Sequence, residues 1–201
     1  MIAIVDYEAG NLTSVARAVT HIGYRCAVTQ KIDEIQNADR IIFPGVGAAG
    51  AAMESLRRLG LHHALARAFA EGKPILGICL GTQIIMGFSE EDRTSCLGLI
   101  PGTVRAFKDI CDSDGSRLKI PHMGWNSIQI RSGHPVLADV HDADEFYFVH
   151  GYYPDPDESR HALALTEYGL NFASVIGERN LIATQFHPEK SGRPGLKILE
   201  N

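Results

Sequence analysis

The sequence predicts an α/β fold: a mixed, mostly parallel central sheet flanked by helices, with an antiparallel strand extension in the second half. Three observations carry this. Up to Cys79, short apolar runs alternate with stretches of helical periodicity, and strands alternating with helices imply βαβ units. After Gly98 the helical pattern stops, and strand-like pieces follow one another across polar or Gly-rich turns. That suits antiparallel pairing, either within the same sheet or in a smaller sheet beside it. No repeat, low-complexity stretch or linker interrupts the 201 residues, so one domain spanning 1–201 is expected.

The elements follow in order. "MIAIV" (1–5) is a short apolar strand. In "NLTSVARAVTHIG" (11–23), Leu12, Val15, Val19 and Ile22 recur at spacings of three and four, which predicts a helix, and Gly23 is a natural stop. "YRCAVT" (24–29) and "ADRIIFPG" (38–45) are further strands, the second ended by Pro-Gly. The stretch 48–73 is helical with a break near Gly60. "PILGIC" (74–79) is the fourth strand and runs into a helix-like segment. Beyond it, "TVRAF", "NSIQI", "EFYFVHGYY", "HALALT", "FASVI" and "LIATQF" read as strands, and "EKSGRPGLKILEN" as a closing helix.

Bulk properties exclude several functions. A net charge of −5 offers nothing to nucleic acid or an anionic membrane. No apolar run approaches the ~20 residues that span a bilayer, and the N-terminus does not read as a signal peptide. The expected compartment is the cytoplasm, where the four cysteines would be free thiols. Their spacing contains no CxxC pair, so no metal site is expected.

One of those cysteines stands apart. In "GICLG", Cys79 lies between glycines where a strand meets a helix. Small neighbours suit a nucleophile elbow, because the flanking segments pass close together. The start of a helix favours a thiolate, and the N–H of Leu80 can face a developing oxyanion. A buried, inert Cys fits the same stretch about as well. Cys26, Cys96 and Cys111 lack this setting. A cysteine nucleophile needs a base, itself held by a third group. His187 precedes Pro188, which disfavours α geometry. In extended chain His187 and Glu189 would share a side, so the carboxylate can orient the imidazole. His21, His134, His141 and His161 show no matching carboxylate, and His62 and His63 read as helix-surface or packing residues.

These residues resemble motifs of the class I glutamine amidotransferases. "GICLGTQ" (77–83) is similar to the family's nucleophile motif and "QFHPEKS" (185–191) to its His/Glu motif. "DYEAGN" (6–11), "FPGVG" (43–47), "PHMGWN" (121–126) and "FYFVHGYY" (146–153) extend the likeness over nearly the whole chain. They point to the branch formed by the glutaminase subunits of imidazole glycerol phosphate synthases. The resemblance implies a flavodoxin-like fold and a cysteine-dependent attack on the side-chain amide of glutamine. It implies Cys79, His187 and Glu189 as catalytic residues. It implies substrate contacts from Gly45, Val46, Gly47, Leu80, Gln83, Gly151 and Tyr152, with "PGVG" as the oxyanion strand. The family usually has Ser where Gly151 stands, so a backbone contact is expected there. The resemblance further implies no cofactor, and a heterodimeric partner: a (β/α)8 cyclase subunit that uses the ammonia to make imidazole glycerol phosphate and an aminoimidazole carboxamide ribonucleotide. Asn11, Trp125 and Lys190 are the corresponding interface candidates, although a helix cap, a core aromatic and a solvated lysine would account for them equally. No P-loop-type phosphate motif appears in these residues, and no separate acceptor domain is expected. Three alternatives stay open: an amidotransferase of another pathway, a cysteine peptidase on a similar scaffold, and a non-catalytic binding module.

Overall fold

A computed structural model describes residues 1–201. The first half forms β1 (Ile2–Val5), α1 (Leu12–His21), β2 (Cys26–Thr29), α2 (Ile32–Asn37), β3 (Arg40–Gly45), α3 (Ala49–Arg58), α4 (Leu61–Ala70), β4 (Ile75–Cys79) and α5 (Leu80–Ile84). The break expected near Gly60 is real. Gly60 has φ 71°, a left-handed conformation that glycine adopts at little cost, and it separates α3 from α4. The short helix α2 has no counterpart in the sequence reading. Its six residues bury only Ile35, too little to show a helical period.

The second half supplies β5 (Phe88–Ser89), β6 (Thr94–Ser95), β7 (Gly102–Ala106), β8 (His122–Ser127), β9 (Gln129–Ile130), β10 (Glu145–His150), β11 (Tyr152–Pro156), β12 (Ala162–Glu167), β13 (Asn171–Glu178) and β14 (Leu181–Thr184), then α6 (Gly192–Glu200). Both sequence alternatives for this half hold. The main sheet has the order β2-β1-β3-β4-β14-β13-β12-β9, parallel from β2 to β14 and antiparallel beyond. Beside it lie an antiparallel β10-β8 pair and a small β11-β7-β5-β6 sheet. "EFYFVHGYY", read as one strand, is two strands in different sheets. The chain changes sheet at Gly151, between β10 and β11.

Period-two alternation explains the layers. Ala3 and Val5 of β1, and Ile41 and Phe43 of β3, face α3 and α4, where Met53, Leu56 and Leu65 complete the core. Ile2, Ile4 and Ile42 face the other way, onto Val15 and Val19 of α1. Each such Val, Ile or Leu contributes roughly 1.5–3 kcal/mol by leaving water. A third cluster, rich in aromatics, joins Phe146 and Phe148 of β10 to Phe172 and Phe186. No helix is long and apolar enough to cross a membrane.

Register decides what the fold positions. β3, β4 and β14 are adjacent and parallel, with Gly45 opposite Cys79 and Thr184 opposite Ile78. The segments leaving their carboxyl ends therefore meet: 46–47 after β3, Cys79 at the end of β4, and 185–187 after β14. Outside the carboxyl ends of strands is where open α/β sheets bind ligands.

Candidate active site

Cys79 ends β4 and begins α5 with φ 53° and ψ −105°. Positive φ is strained for a residue with a Cβ, and such strain gathers at active sites. The elbow's glycine requirement is steric. A Cβ on Gly81 would lie 1.9 Å from the Phe43 carbonyl oxygen, and one on Gly77 would lie 2.8 Å from the Ala183 Cβ. Helix α5 can therefore cross β3, and β4 can lie against β14, only without side chains at those points. Thr82 Oγ1 donates to the Thr184 carbonyl at 2.6 Å, tying α5 to β14.

His187 is buried and extended, with φ −99° and ψ 95°. Its backbone N–H donates to the Tyr147 carbonyl at 2.9 Å. Ser191 Oγ donates to the His187 carbonyl and accepts from Tyr147 N–H. His187 Nδ1 lies 2.8 Å from Glu189 Oε1. The pairing expected between these two exists, but its geometric reason differs. Glu189 sits in a 3-10 turn, Pro188–Lys190, and the turn, not extended chain, swings the carboxylate back to the ring. Both side chains are fully buried.

Nδ1 is thus occupied, which leaves Nε2 as the unpaired ring nitrogen. Nε2 makes no hydrogen bond within the chain, and the thiol's polar contact is Gln185 Nε2 at 3.8 Å. The thiol–imidazole approach is therefore looser than a hydrogen bond, yet it is electrostatically strong. Burial alone would lower the His187 pKa, but the Cys79 sulfur and the Glu189 carboxylate outweigh it and raise the pKa to about 9. The arrangement favours the charged, imidazolium form of His187.

In front of Cys79 lies a cavity of about 350 Å³. Val46, Gly47, Leu80, Gln83, Gly151 and Tyr152 all line it. Gly45 does not reach the wall. It lies against the buried Tyr7 hydroxyl, which leaves no space for any side chain there. Gly47 has φ 123°, within glycine's range. The cavity also contains Glu91, a residue the sequence reading missed. Its Oε2 accepts from the Ala49 N–H at 2.7 Å. Burial raises its pKa, partly opposed by that hydrogen bond. Nothing in "SEEDRT" marks Glu91 over Glu90; only the fold turns it inward. A more apolar cavity at the opposite ends of the strands, lined by Ile2, Ile42 and Leu76, contains no cysteine, serine or threonine.

The interface candidates divide. Asn11 is at the N-terminal cap position of α1, but its side chain does not cap the helix. Nδ2 instead donates to Glu189 Oε1 at 2.5 Å and sits 3.4 Å from His187 Nδ1. Trp125 is 54% exposed, which removes the core-aromatic reading. Lys190 is exposed beside the triad. His161, read as lacking a carboxylate, has one: its Nε2 lies 2.7 Å from Glu178 Oε2. This pair bridges the end of β13 to the turn before β12, away from Cys79. The sequence could not show it, because the two residues are neighbours only through antiparallel pairing.

Comparison with known proteins decides what this arrangement belongs to. The family "Glutamine amidotransferase class-I" matches residues 3–201. The imidazole glycerol phosphate synthase subunit HisH of Desulfovibrio desulfuricans is 50% identical over the whole of this chain and 93% of its own length. That of Nitratidesulfovibrio vulgaris is 49% identical over the whole chain and 94% of its own. The chain belongs to the class-I glutamine amidotransferases, in the HisH group. A solved structure described as glutamine amidotransferase superposes with TM-score 0.74 at 16% identity, covering 98% of this chain and 95% of that one. At that identity the superposition speaks for the fold, which is the amidotransferase fold expected. In an amidotransferase of this group, the elbow cysteine, the buried His-Glu pair and the pocket beside them form one candidate site.

Proposed function

We propose that this chain is the glutaminase subunit of an imidazole glycerol phosphate synthase, acting as a single amidotransferase domain over residues 1–201 in the cytoplasm. The observation that carries the reading is Cys79. It is held at positive φ between two glycines that packing requires, on the wall of a pocket lined by the segments that leave the carboxyl ends of β3 and β4.

Glutamine enters with its side-chain amide towards Cys79. The sulfur attacks the amide carbon as thiolate, its proton having gone to His187 Nε2. The developing oxyanion is met by the Leu80 N–H and, after reorientation of the peptide between Pro44 and Gly47, by the Val46 N–H. His187 gives its proton to the departing ammonia. It then takes one from water, which hydrolyses the γ-glutamyl thioester to glutamate and frees Cys79. Glu189 holds His187 with Nδ1 protonated and stabilises the imidazolium. Gln83 and the backbone at Gly151 and Tyr152 hold the substrate. A backbone contact explains why Gly151 serves in place of Ser. Glu91, the one acidic side chain in the pocket wall, receives the α-ammonium group of the amino acid.

The ammonia passes to a cyclase subunit of the HisF type, a (β/α)8 barrel, for synthesis of imidazole glycerol phosphate. Support for a docked partner lies in exposed apolar side chains: Val46 lines the pocket, Ile120 precedes the pocket residue Pro121, and Met123 and Trp125 follow on β8. A cluster of this kind marks an interaction surface on a soluble protein. Coupling follows if the oxyanion peptide turns only when the cyclase site is filled. The test is glutamine hydrolysis by the full chain, alone and with the cyclase with and without its nucleotide. The expected result is turnover that rises in the filled complex. Equal rates in all three conditions contradict the coupling, and no hydrolysis in any of them contradicts the function.

A further inference from the structure

Polar groups running from β8 to His150, which lines the pocket, form a hydrogen-bond chain whose direction is fixed at both ends. Asn126 lies on β8. Its Nδ2 donates to the Glu167 carbonyl at 2.9 Å and its Oδ1 accepts from the Ser127 N–H at 2.9 Å. These two bonds of opposite sense allow the amide one orientation. The same Nδ2 lies 3.4 Å from His122 Nε2. His122 Nδ1 is 3.0 Å from His150 Nε2, and His150 Nδ1 is 2.8 Å from the Tyr152 carbonyl oxygen.

The tautomers follow by elimination. A carbonyl only accepts, so His150 Nδ1 carries a hydrogen. A neutral imidazole has one N–H, so His150 Nε2 accepts and His122 Nδ1 must donate to it. His122 Nε2 is then an acceptor, and it faces the Asn126 donor. Each link agrees with the next. Burial keeps both rings neutral: it lowers the His122 pKa to about 4 and the His150 pKa to about 3. His122 and His187 push His150 the same way, and its bond to Tyr152 opposes them.

The chain ends in the substrate pocket. The Tyr152 carbonyl accepts a second bond from Gln83 Nε2 at 2.9 Å. Gln83 Nε2 also donates to Gln185 Oε1 at 3.1 Å, and Gln185 Nε2 points to Cys79 Sγ. We propose that His122 and His150 are positioning residues for glutamine: a one-way pair of neutral imidazoles, each with its hydrogen on Nδ1, that fixes the Tyr152 carbonyl and through it Gln83. The role as glutamine positioners rests on the glutaminase reading; the tautomer pattern does not.

Two measurements on the full chain test this. The first is nitrogen-15 NMR of labelled histidine, assigned with His122→Asn and His150→Asn. Both rings should show a protonated-type Nδ1 and an unprotonated-type Nε2 at neutral pH. A hydrogen on Nε2 of either ring, or a charged ring, overturns the relay. The second is glutamine affinity by calorimetry in a Cys79→Ser background, which prevents turnover. His150→Leu removes the donor to Tyr152 and should weaken binding roughly five- to tenfold, about one hydrogen bond's worth. His150→Asn, whose amide nitrogen can stand near Nδ1, should recover most of that loss. Unchanged affinity in a folded His150→Leu chain, or no recovery in His150→Asn, overturns the positioning role. Absence of glutamine binding in the Cys79→Ser parent would instead overturn the glutaminase reading, and the NMR pattern would still decide the relay.

Discussion

Cys79 pays for its position in backbone strain. A non-glycine residue held in such a conformation costs about 1–3 kcal/mol, and neither neighbouring glycine can relieve it, because both are fixed by packing. Two predictions follow at this residue. Cys79→Ala should abolish glutamine-dependent activity while the partner's activity with free ammonia persists, a comparison that a steady-state assay with each nitrogen source makes. Cys79→Gly should be more stable than Cys79→Ala by about 1 kcal/mol, because glycine accepts positive φ; equal urea midpoints would show that the elbow is unstrained. Glu189→Gln should reduce kcat less than Cys79→Ala, because an orienting group contributes less than the nucleophile. The raised His187 pKa gives a pH signature. A group whose pKa rises on folding stabilises fully below its unfolded value, about 6.5, and loses that contribution as pH climbs through the folded value of about 9. The stability difference between the native chain and His187→Gln should therefore shrink between pH 6.5 and 9.5, as measured by urea unfolding across that range.

At the scale of elements, the decisive contact is α5 crossing β3. Adding a methyl group in Gly81→Ala would drive a Cβ against the Phe43 carbonyl, forcing the helix away from the sheet. A loss of roughly 2–4 kcal/mol is expected, with the glutaminase site displaced as well; near-native denaturant stability would contradict it. The same scale shows why parts of the molecule were legible from sequence and others were not. Strands β1, β3 and β4 are buried runs, and α1 has a clean period of three and four, so burial wrote their type into the residue pattern. Helix α2 buries one side chain and leaves no pattern. The β10–β11 pair reads as continuous because strand-type residues flank Gly151 on both sides, and the glycine that marks the change of sheet is the one local sign of it. His187 and Cys79 could be found because each lies in a compact local motif. Glu91 and the His161–Glu178 pair could not, since their roles come from long-range packing that local spacing does not encode. Asn11 was placed correctly as a helix start, but its side chain reaches Glu189, 178 positions away.

At the scale of the whole molecule, chemistry and surface divide the β8–β10 pair between them. On β8, His122 faces inward to the relay, while Met123 and Trp125 stand on the exposed side. Trp125 meets Tyr147 of β10 edge-on, with ring centroids 6.1 Å apart. The Tyr147 backbone in turn anchors His187. A partner seated on this face would press on the strand whose backbone holds His187, the proposed catalytic base. Trp125→Ala should weaken association with the cyclase by tenfold or more, since exposed aromatics at such faces dominate binding; unchanged affinity in a titration would place the partner elsewhere. The most direct test of the central claim is the mass of the chain quenched in acid during turnover with glutamine, followed by peptide mapping. The account predicts a γ-glutamyl adduct on the peptide that contains Cys79, absent from the Cys79→Ala chain. Glutamine hydrolysis that survives in Cys79→Ala, or an adduct on Cys26, Cys96 or Cys111 instead, would contradict it.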